Sequence, residues 1–325
     1  MKKVIWTKYG GPGVLKMGEA EKPSPKDKEI LIQVIATSVT LGDCEMRNLS
    51  LPLAFKIPLR LVFGVIKPRG LTLGQEFSGI VEAIGKDVTK FKIGDEISGQ
   101  TGVTMGAYSQ YMTQAEKGIM SKKPGAISFE QAACVPLGGL ESQYFIKQSG
   151  LGKSSKVLVI GAGGSIGTMG IQLLKLLGAE VTGVDIAEKF EAIKEAGADY
   201  VIDYTKQDYM SSGKIYDGIL DVVGKTPLKK GLAILNNDGV YMHANPKISH
   251  MLFRKILSGS GNKKILVKID EESQNDLDYL CELLNDGKIR PIIDKVMSLD
   301  NIVDAHKYVE AGKKRGNLVI KVDYI

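Results

Sequence analysis

The most constraining stretch of this 325-residue chain is Val157-Leu158-Val159-Ile160-Gly161-Ala162-Gly163-Gly164-Ser165-Ile166-Gly167. Four apolar residues run into glycines. An apolar pattern of helical period then follows at Ile166, Met169, Leu173, Leu174 and Leu177, and ends at Gly178. Glycines permit a tight turn and let the backbone approach a pyrophosphate, and a helix N-terminus beside them supplies N–H donors and partial positive charge. The next apolar run, Val181–Val184, is closed by Asp185, 18 positions after Gly167 and near the spacing of a ribose-binding carboxylate. The segment therefore reads as a dinucleotide site built from Gly161, Ala162, Gly163, Gly164, Ser165, Ile166, Gly167 and Asp185. A carboxylate there accepts hydrogen bonds from the ribose and repels a 2′-phosphate, which favours NADH over NADPH. Lys189 lies close enough to soften that repulsion and keep NADPH open. The alternatives are a glycine turn used only for close packing, and Asp185 as the cap of a helix starting near Ala187.

The same alternation continues through Tyr200–Ile202, Ile219–Val223, Val240–Met242 and Ile265–Ile269. Apolar runs separated by helical stretches imply a parallel sheet covered on both faces. The first third differs. It has short strand-like runs, Ile30–Ala36, Phe77–Ile84 and Tyr108–Met112, separated by turn signals such as Gly10-Gly11-Pro12-Gly13 and Lys92-Ile93-Gly94-Asp95. That pattern suggests a small β-barrel or partly open β-domain. The tail carries two helical patterns, Leu277–Leu284 and Ile302–Val309, and a strand-like run, Leu318–Val322, which could extend the parallel sheet or return to the first domain.

The length allows two domains. No uninterrupted apolar run is long enough for a transmembrane helix, and the charged N-terminus does not read as a signal peptide, so a cytoplasmic location follows by default. Cys44, Cys134 and Cys281 are widely spaced, which argues against a disulfide framework or a cysteine-rich zinc site. The net charge of +6 is spread along the chain, and no nucleic-acid partner is expected.

Several further segments resemble the zinc-free quinone oxidoreductase branch of the medium-chain dehydrogenase/reductase superfamily. Leu73–Gly85 looks like its G-x-E-x-x-G-x-V-x-x-x-G signature, and Phe91–Ile97 resembles its F-K-x-G-D-x-V turn. Gly197-Ala198-Asp199 with Asp203-Tyr204, and Leu220–Gly224, are similar to its later strand ends. The resemblance implies an α/β architecture: a doubly wound Rossmann sheet (residues 123–269) plus a GroES-like, β-rich catalytic domain (residues 1–122, with 270–325 returning to it). A substrate cleft is implied between the two. Tyr204, Val223 and Ala244 would then line the cofactor site.

Zinc-dependent relatives place a cysteine, a G-H-E histidine and a third ligand where this chain has Thr40, Gln75 and Leu137, and these cannot replace thiolate and imidazole around Zn²⁺. No metal is therefore expected. Cys44 is displaced from the ligand position by four residues. Without a Lewis acid, a quinone or activated enone is the easier acceptor, because the charge that develops delocalises to an oxygen needing only hydrogen bonds. The implied activity is NAD(P)H-dependent reduction of such small molecules, with Thr40, Asp43 and Gln75 as the candidate catalytic polar groups. They read equally as pocket-shaping loop residues. The competing readings are a dinucleotide-binding redox-sensing or RNA-binding protein with little catalysis, and a zinc-free alcohol or enoyl reductase.

Two departures stand out. Gly138-Gly139-Leu140-Glu141-Ser142 puts Glu141 where the family has a threonine near the cofactor, unfavourable unless the carboxylate turns away or pairs with a cation, and Ser142 is the candidate to supply the hydroxyl. The apolar segment 49–66, interrupted by Pro52 and Pro58, is not expected to form a single long helix. It reads as a lid, as a loop folded on the barrel, or as a weak peripheral membrane contact through Lys56 and Arg60. A homodimer could form through sheet edges around Ile265–Ile269.

Overall fold

The computed structural model describes residues 1–50, 53–245, 262–268 and 273–324, with only the backbone at 53–55 and 103. The chain divides into two compact units, one of Met1–Leu137, Ser273–Asn285 and Ile293–Ile325, the other of Gly138–Glu272 and Asp286–Ile292.

In the first unit β1 (Lys2–Trp6) and β2 (Leu15–Glu19) pair antiparallel. β3 (Glu29–Ser38), rich in β-branched residues, is followed by α1 (Leu41–Asn48) and α2 (Leu53–Phe63). Then come β4 (Glu76–Ile84), β5 (Glu96–Gln100), β6 (Tyr111–Ala115), β7 (Met120–Lys122) and the short α3 (Phe129–Ala132). β6 begins at Tyr111 rather than at Tyr108 as expected. The Tyr108 backbone is spent elsewhere, its carbonyl on Val4 N–H (2.9 Å) and its N–H on the Leu73 carbonyl (3.0 Å). Pro58 corrects a second expectation, because α2 runs through it. A proline removes one intrahelical bond, but α2 is held from outside itself: Phe63 is buried in the core and Leu59 packs against the same cluster.

α4 (Pro136–Ser149) leads into the second unit. β8 (Lys156–Ile160), α5 (Ser165–Leu176), β9 (Glu180–Asp185), α6 (Phe190–Glu195), β10 (Tyr200–Asp203), β11 (Tyr216–Asp221), α7 (Leu228–Ala233), β12 (Leu235–His243) and β13 (Lys264–Val267) alternate along the chain. The sheet order is β10-β9-β8-β11-β12-β13, every pair parallel. β8 exposes only its first residue, as expected of a strand covered on both faces. The order reverses between β8 and β11, the switch point at which such sheets open a crevice beyond the strand ends. β11 stops at Asp221, two residues before the expected end, because the Asp221 carboxylate captures the N–H groups of Val223 (3.1 Å) and Gly224 (2.8 Å). Ile269, placed in the last run by the sequence, lies outside the described residues.

The remaining chain is α8 (Gln274–Asn285), β14 (Ile293–Ser298), α9 (Ile302–Glu310) and β15 (Asn317–Lys321). β15 pairs antiparallel with β3, Val319 opposite Ser38, and parallel with β14. The first unit's sheet thus reads β14-β15-β3-β4-β5-β7, with β6 also on β3. Its core includes Trp6, Ile30, Ile32, Phe77, Leu318 and Ile320, all without exposed surface. α9 is tied to α1 by Arg47, fully buried, which donates from Nε to the Gly10 carbonyl (2.9 Å) and pairs with Glu310. Its Nη1 lies 2.8 Å from His306 Nδ1. Burial, and then the Arg47 charge, pushes His306 down to about 3, so the ring is neutral at working pH.

Candidate functional site

In the second unit, Gly161 takes φ +81°, and a side chain on it would collide with Val223. The same turn brings a Cβ on Gly167 within 2.4 Å of the Gly161 carbonyl oxygen, so only glycine allows α5 to pack this closely on β8. α5 begins at Gly164 with no capping side chain and no acidic residue in its first turn. The N-cap glycine thus offers no side chain to the first-turn N–H groups, and the turn itself carries no negative charge against the positive end of the helix. This arrangement fits the pyrophosphate of a dinucleotide.

Asp185 is buried at the end of β9. Its Oδ2 accepts from Gly163 N–H (3.0 Å) and its Oδ1 from Ile186 N–H (2.9 Å). It does not cap the helical turn at Ala187, which has Ile186 at its N-cap and no side-chain cap. Lys189 Nζ stands 3.4 Å from Asp185 Oδ1, and its alkyl chain covers Gly163. Val223 and Tyr204 are exposed beyond their strands. Ala244, half-buried, donates its N–H to the Asp221 carbonyl (3.0 Å). Asp221 is fully buried and also accepts from the Tyr241 hydroxyl (2.7 Å), bracing the turn that carries Val223.

Ser142 is fully buried, its hydroxyl within bonding distance of the Gly138 carbonyl (2.7 Å) and the Ile166 carbonyl (2.9 Å). This placement does not suit the expected cofactor hydroxyl; Ser142 instead joins α4 to the first turn of α5. Glu141 meets the condition set by the sequence, since it pairs with Lys268 at 2.7 Å.

In the first unit, Thr40 caps α1. Its Oγ1 accepts from Asp43 N–H (3.1 Å), while Asp43 Oδ2 accepts from Thr40 N–H (2.9 Å) and from the Thr40 hydroxyl (2.7 Å). This reciprocal capping box fixes both side chains. Asp43 is fully buried, and among the described residues its Oδ1 makes no hydrogen bond of ordinary geometry. Burial raises its carboxyl pKa above the ordinary range, against the opposing pull of the Thr40 bonds. Gln75, half-buried, packs beside Gly42 with its amide Nε2 3.2 Å from where a Cβ on that glycine would lie, and Thr40 Oγ1 is 3.5 Å from the same point. Thr40, Asp43 and Gln75 are thus brought together.

Glu76 is the group that sequence reasoning missed. It is fully buried; one carboxylate oxygen accepts from the Ser38 hydroxyl and the other from Leu137 N–H (2.9 Å). Burial pushes it up to about 7, with the Ser38 and Leu137 bonds opposing. Its sequence signal is the carboxylate of the G-x-E signature at the head of β4, which does not by itself disclose burial or partners.

Thr40, Gln75 and Leu137 offer a hydroxyl, an amide and an alkyl group, a set that does not fit Zn²⁺. Among the described residues no group of three or more His, Cys, Asp or Glu is placed to hold a metal ion.

A GroES-like β unit and a parallel sheet with a glycine turn at its switch point define a dehydrogenase-class oxidoreductase fold. Residues 26–146 match the alcohol dehydrogenase GroES-like domain family, and residues 196–320 match a family described as zinc-binding dehydrogenase. The chain is 31% identical over 329 residues to the human mitochondrial NAD(P)H oxidoreductase RTN4IP1, spanning 90% of this chain and 82% of that protein. It is 28% identical to 2-methylene-furan-3-one reductase of Solanum lycopersicum, over 98% of this chain and 79% of the relative. The structure of the quinone oxidoreductase from Coxiella burnetii superposes with a TM-score of 0.88 at 27% identity, covering 99% of each chain. The chain belongs to the quinone oxidoreductase branch of the medium-chain dehydrogenase/reductase superfamily.

Proposed function

We propose that this chain is an NAD(P)H-dependent oxidoreductase that works without zinc and reduces quinones or activated α,β-unsaturated carbonyls by hydride transfer. The observation that carries the acceptor class is the N-terminus of α1 with Gln75 packed beside it. There Thr40 and Gln75 offer hydrogen bonds, backed by a buried Asp43, at positions where a metal site needs thiolates or imidazoles. The quinone and enone reductases among its relatives support the same reading.

Bound NAD(P)H supplies the hydride. The glycine turn Gly161–Gly167 takes the pyrophosphate, and Tyr204, Val223 and Ala244 line the cofactor. Thr40 and Gln75 hold the acceptor oxygen. When Asp43 is protonated, its O–H donates to Thr40 Oγ1, and the threonine hydroxyl is released to donate to the oxygen on which charge develops. Asp185 at the ribose gives NADH a modest preference, and Lys189 beside it keeps NADPH usable. The reading places the enzyme in the cytoplasm and a homodimer contact along β13, the last strand of the described sheet. No helix among the described residues is long and apolar enough to cross a membrane.

The test is oxidation of NADH and NADPH with a panel of 1,4-quinones, enones and simple aldehydes, with metal analysis of the same sample. Turnover with quinones or enones and little with aldehydes is expected. Failure with every acceptor sinks the reductase reading, and stoichiometric zinc overturns the ligand argument.

A further inference from the structure

α2 is built inside out for a surface helix. Its inward face holds Leu59 and Phe63, the latter 6.0 Å from the Trp6 ring. Its outward face holds Ile57 (56% exposed), Pro58, Leu61 (63%) and Val62 (61%), and the turn that follows adds Val65 (56%) and Ile66 (90%). A helix on a water-facing surface normally turns charged residues outward. A contiguous exposed apolar face is the mark of a binding surface.

The charge around this face has one sign. No acidic residue occurs between Glu45 and Glu76, whereas Arg47, Lys56, Arg60, Lys67 and Arg69 all do. Arg47 is buried and spent on Glu310 and Gly10. The other four flank the apolar residues: Lys67 and Arg69 are exposed, and Arg60 lies over the Tyr9 ring at 5.3 Å. The Tyr9 hydroxyl donates to the Gly64 carbonyl (2.6 Å), which fixes the turn between the helix and the basic pair. Lys8, also exposed, adjoins Tyr9 in the chain.

We propose that α2 and the turn through residue 69 form a docking surface for an anionic phospholipid bilayer. Ile57, Leu61, Val62, Val65 and Ile66 enter the boundary between headgroups and acyl chains, and Lys56, Lys67 and Arg69 lie at the phosphates, while Arg60 is held against Tyr9. A second copy of the chain is a poor occupant. A two-fold contact would set Lys56, Lys67 and Arg69 against the same three residues with no carboxylate from the segment to neutralise them. The inference does not rest on the reductase reading, since it is measured without cofactor or acceptor.

The experiment is co-sedimentation of the full chain with unilamellar vesicles of phosphatidylcholine alone or mixed with phosphatidylglycerol. The parent is expected to sediment with the anionic vesicles and to stay in solution with the neutral ones. Leu61→Ser with Ile66→Ser should lower the partition coefficient about tenfold through lost apolar burial. Lys67→Glu with Arg69→Glu should remove the preference for anionic lipid. All four positions are exposed, and thermal melts of the variants check that the fold is kept. Equal sedimentation with both vesicle types, or variants that bind like the parent, overturns the proposal. A concentration-dependent dimer abolished by Leu61→Ser also overturns it, because a second copy then covers the face.

Discussion

Lys189 folds back over Gly163 and sets its Nζ 3.4 Å from Asp185 Oδ1, so one lysine both covers the nucleotide turn and partly neutralises its carboxylate. In the proposed function the two residues oppose each other at the adenosine ribose. Asp185→Ser is expected to shift the ratio of kcat/KM toward NADPH by about tenfold, and Lys189→Ala to shift it toward NADH by a similar factor. Steady-state kinetics with both cofactors measures the two ratios. A ratio unmoved by either substitution removes Asp185 and Lys189 from the ribose site.

The pH dependence of turnover should report Asp43. Its pKa is raised by burial, and the proposed donor form is the protonated one, so kcat falls as pH rises through that raised value. Asp43→Asn keeps an N–H donor facing Thr40 Oγ1 at every pH, so its profile should lose that limb. An Asn variant with the parent's profile would show that Asp43 only caps α1.

Glu76 makes a stability prediction with a definite sign. The folded chain holds its proton up to about pH 7, the unfolded chain only to the ordinary 4.5. The folded state therefore binds more protons in that window, and stability falls as pH rises through it, by about 3 kcal/mol in all, then levels off. Glu76→Gln cannot lose a proton there. Denaturant unfolding of both proteins from pH 4 to 8 should show the parent losing ground to the variant between those two values. Parallel curves would contradict it.

Arg47 is the strut between α1 and α9. Arg47→Met strips the donor from His306 Nδ1 and the cation from the exposed Glu310, and should destabilise the fold by about 2 kcal/mol, the scale for hydrogen bonds lost from a buried charged side chain. A chemical melt measures it; a loss below about 1 kcal/mol, the scale of an exposed pair, would mean the network is loose.

The parts of this fold legible in the sequence are those whose causes are local. The doubly wound sheet announced itself in Val157–Ile160 and Val181–Val184, because strands buried on both faces carry no charged residue, and the one polar residue there, Thr182, is itself buried. The Thr40–Asp43 pair was visible as a loop pattern, though its reciprocal capping geometry was not. Glu76 and the Arg47–His306–Glu310 cluster were illegible because their meaning depends on burial and on partners far along the chain; Arg47 and His306 are 259 positions apart. Pro58 misled for the same reason. The loss of one helical bond is a local fact, but what holds α2 is Leu59 and Phe63 on a distant core. Ser142 had the right chemistry, but its hydroxyl is directed at Gly138 and Ile166, which residue type alone does not disclose.

The pairing of β15 with β3 sets an order of events during synthesis. Val319 cannot meet Ser38 until all the residues between them have left the ribosome. Until then β3 lacks the neighbour that completes its sheet, although β4 and β6 are already available to it. The parallel sheet of β8 to β13 needs nothing from the last strand and can close while translation continues. The nascent protein therefore acquires its nucleotide-binding half first. Chains truncated before Asn317 should carry a formed glycine turn beside an unfinished β unit, leaving the β15 side of β3 open to pairing with foreign strands.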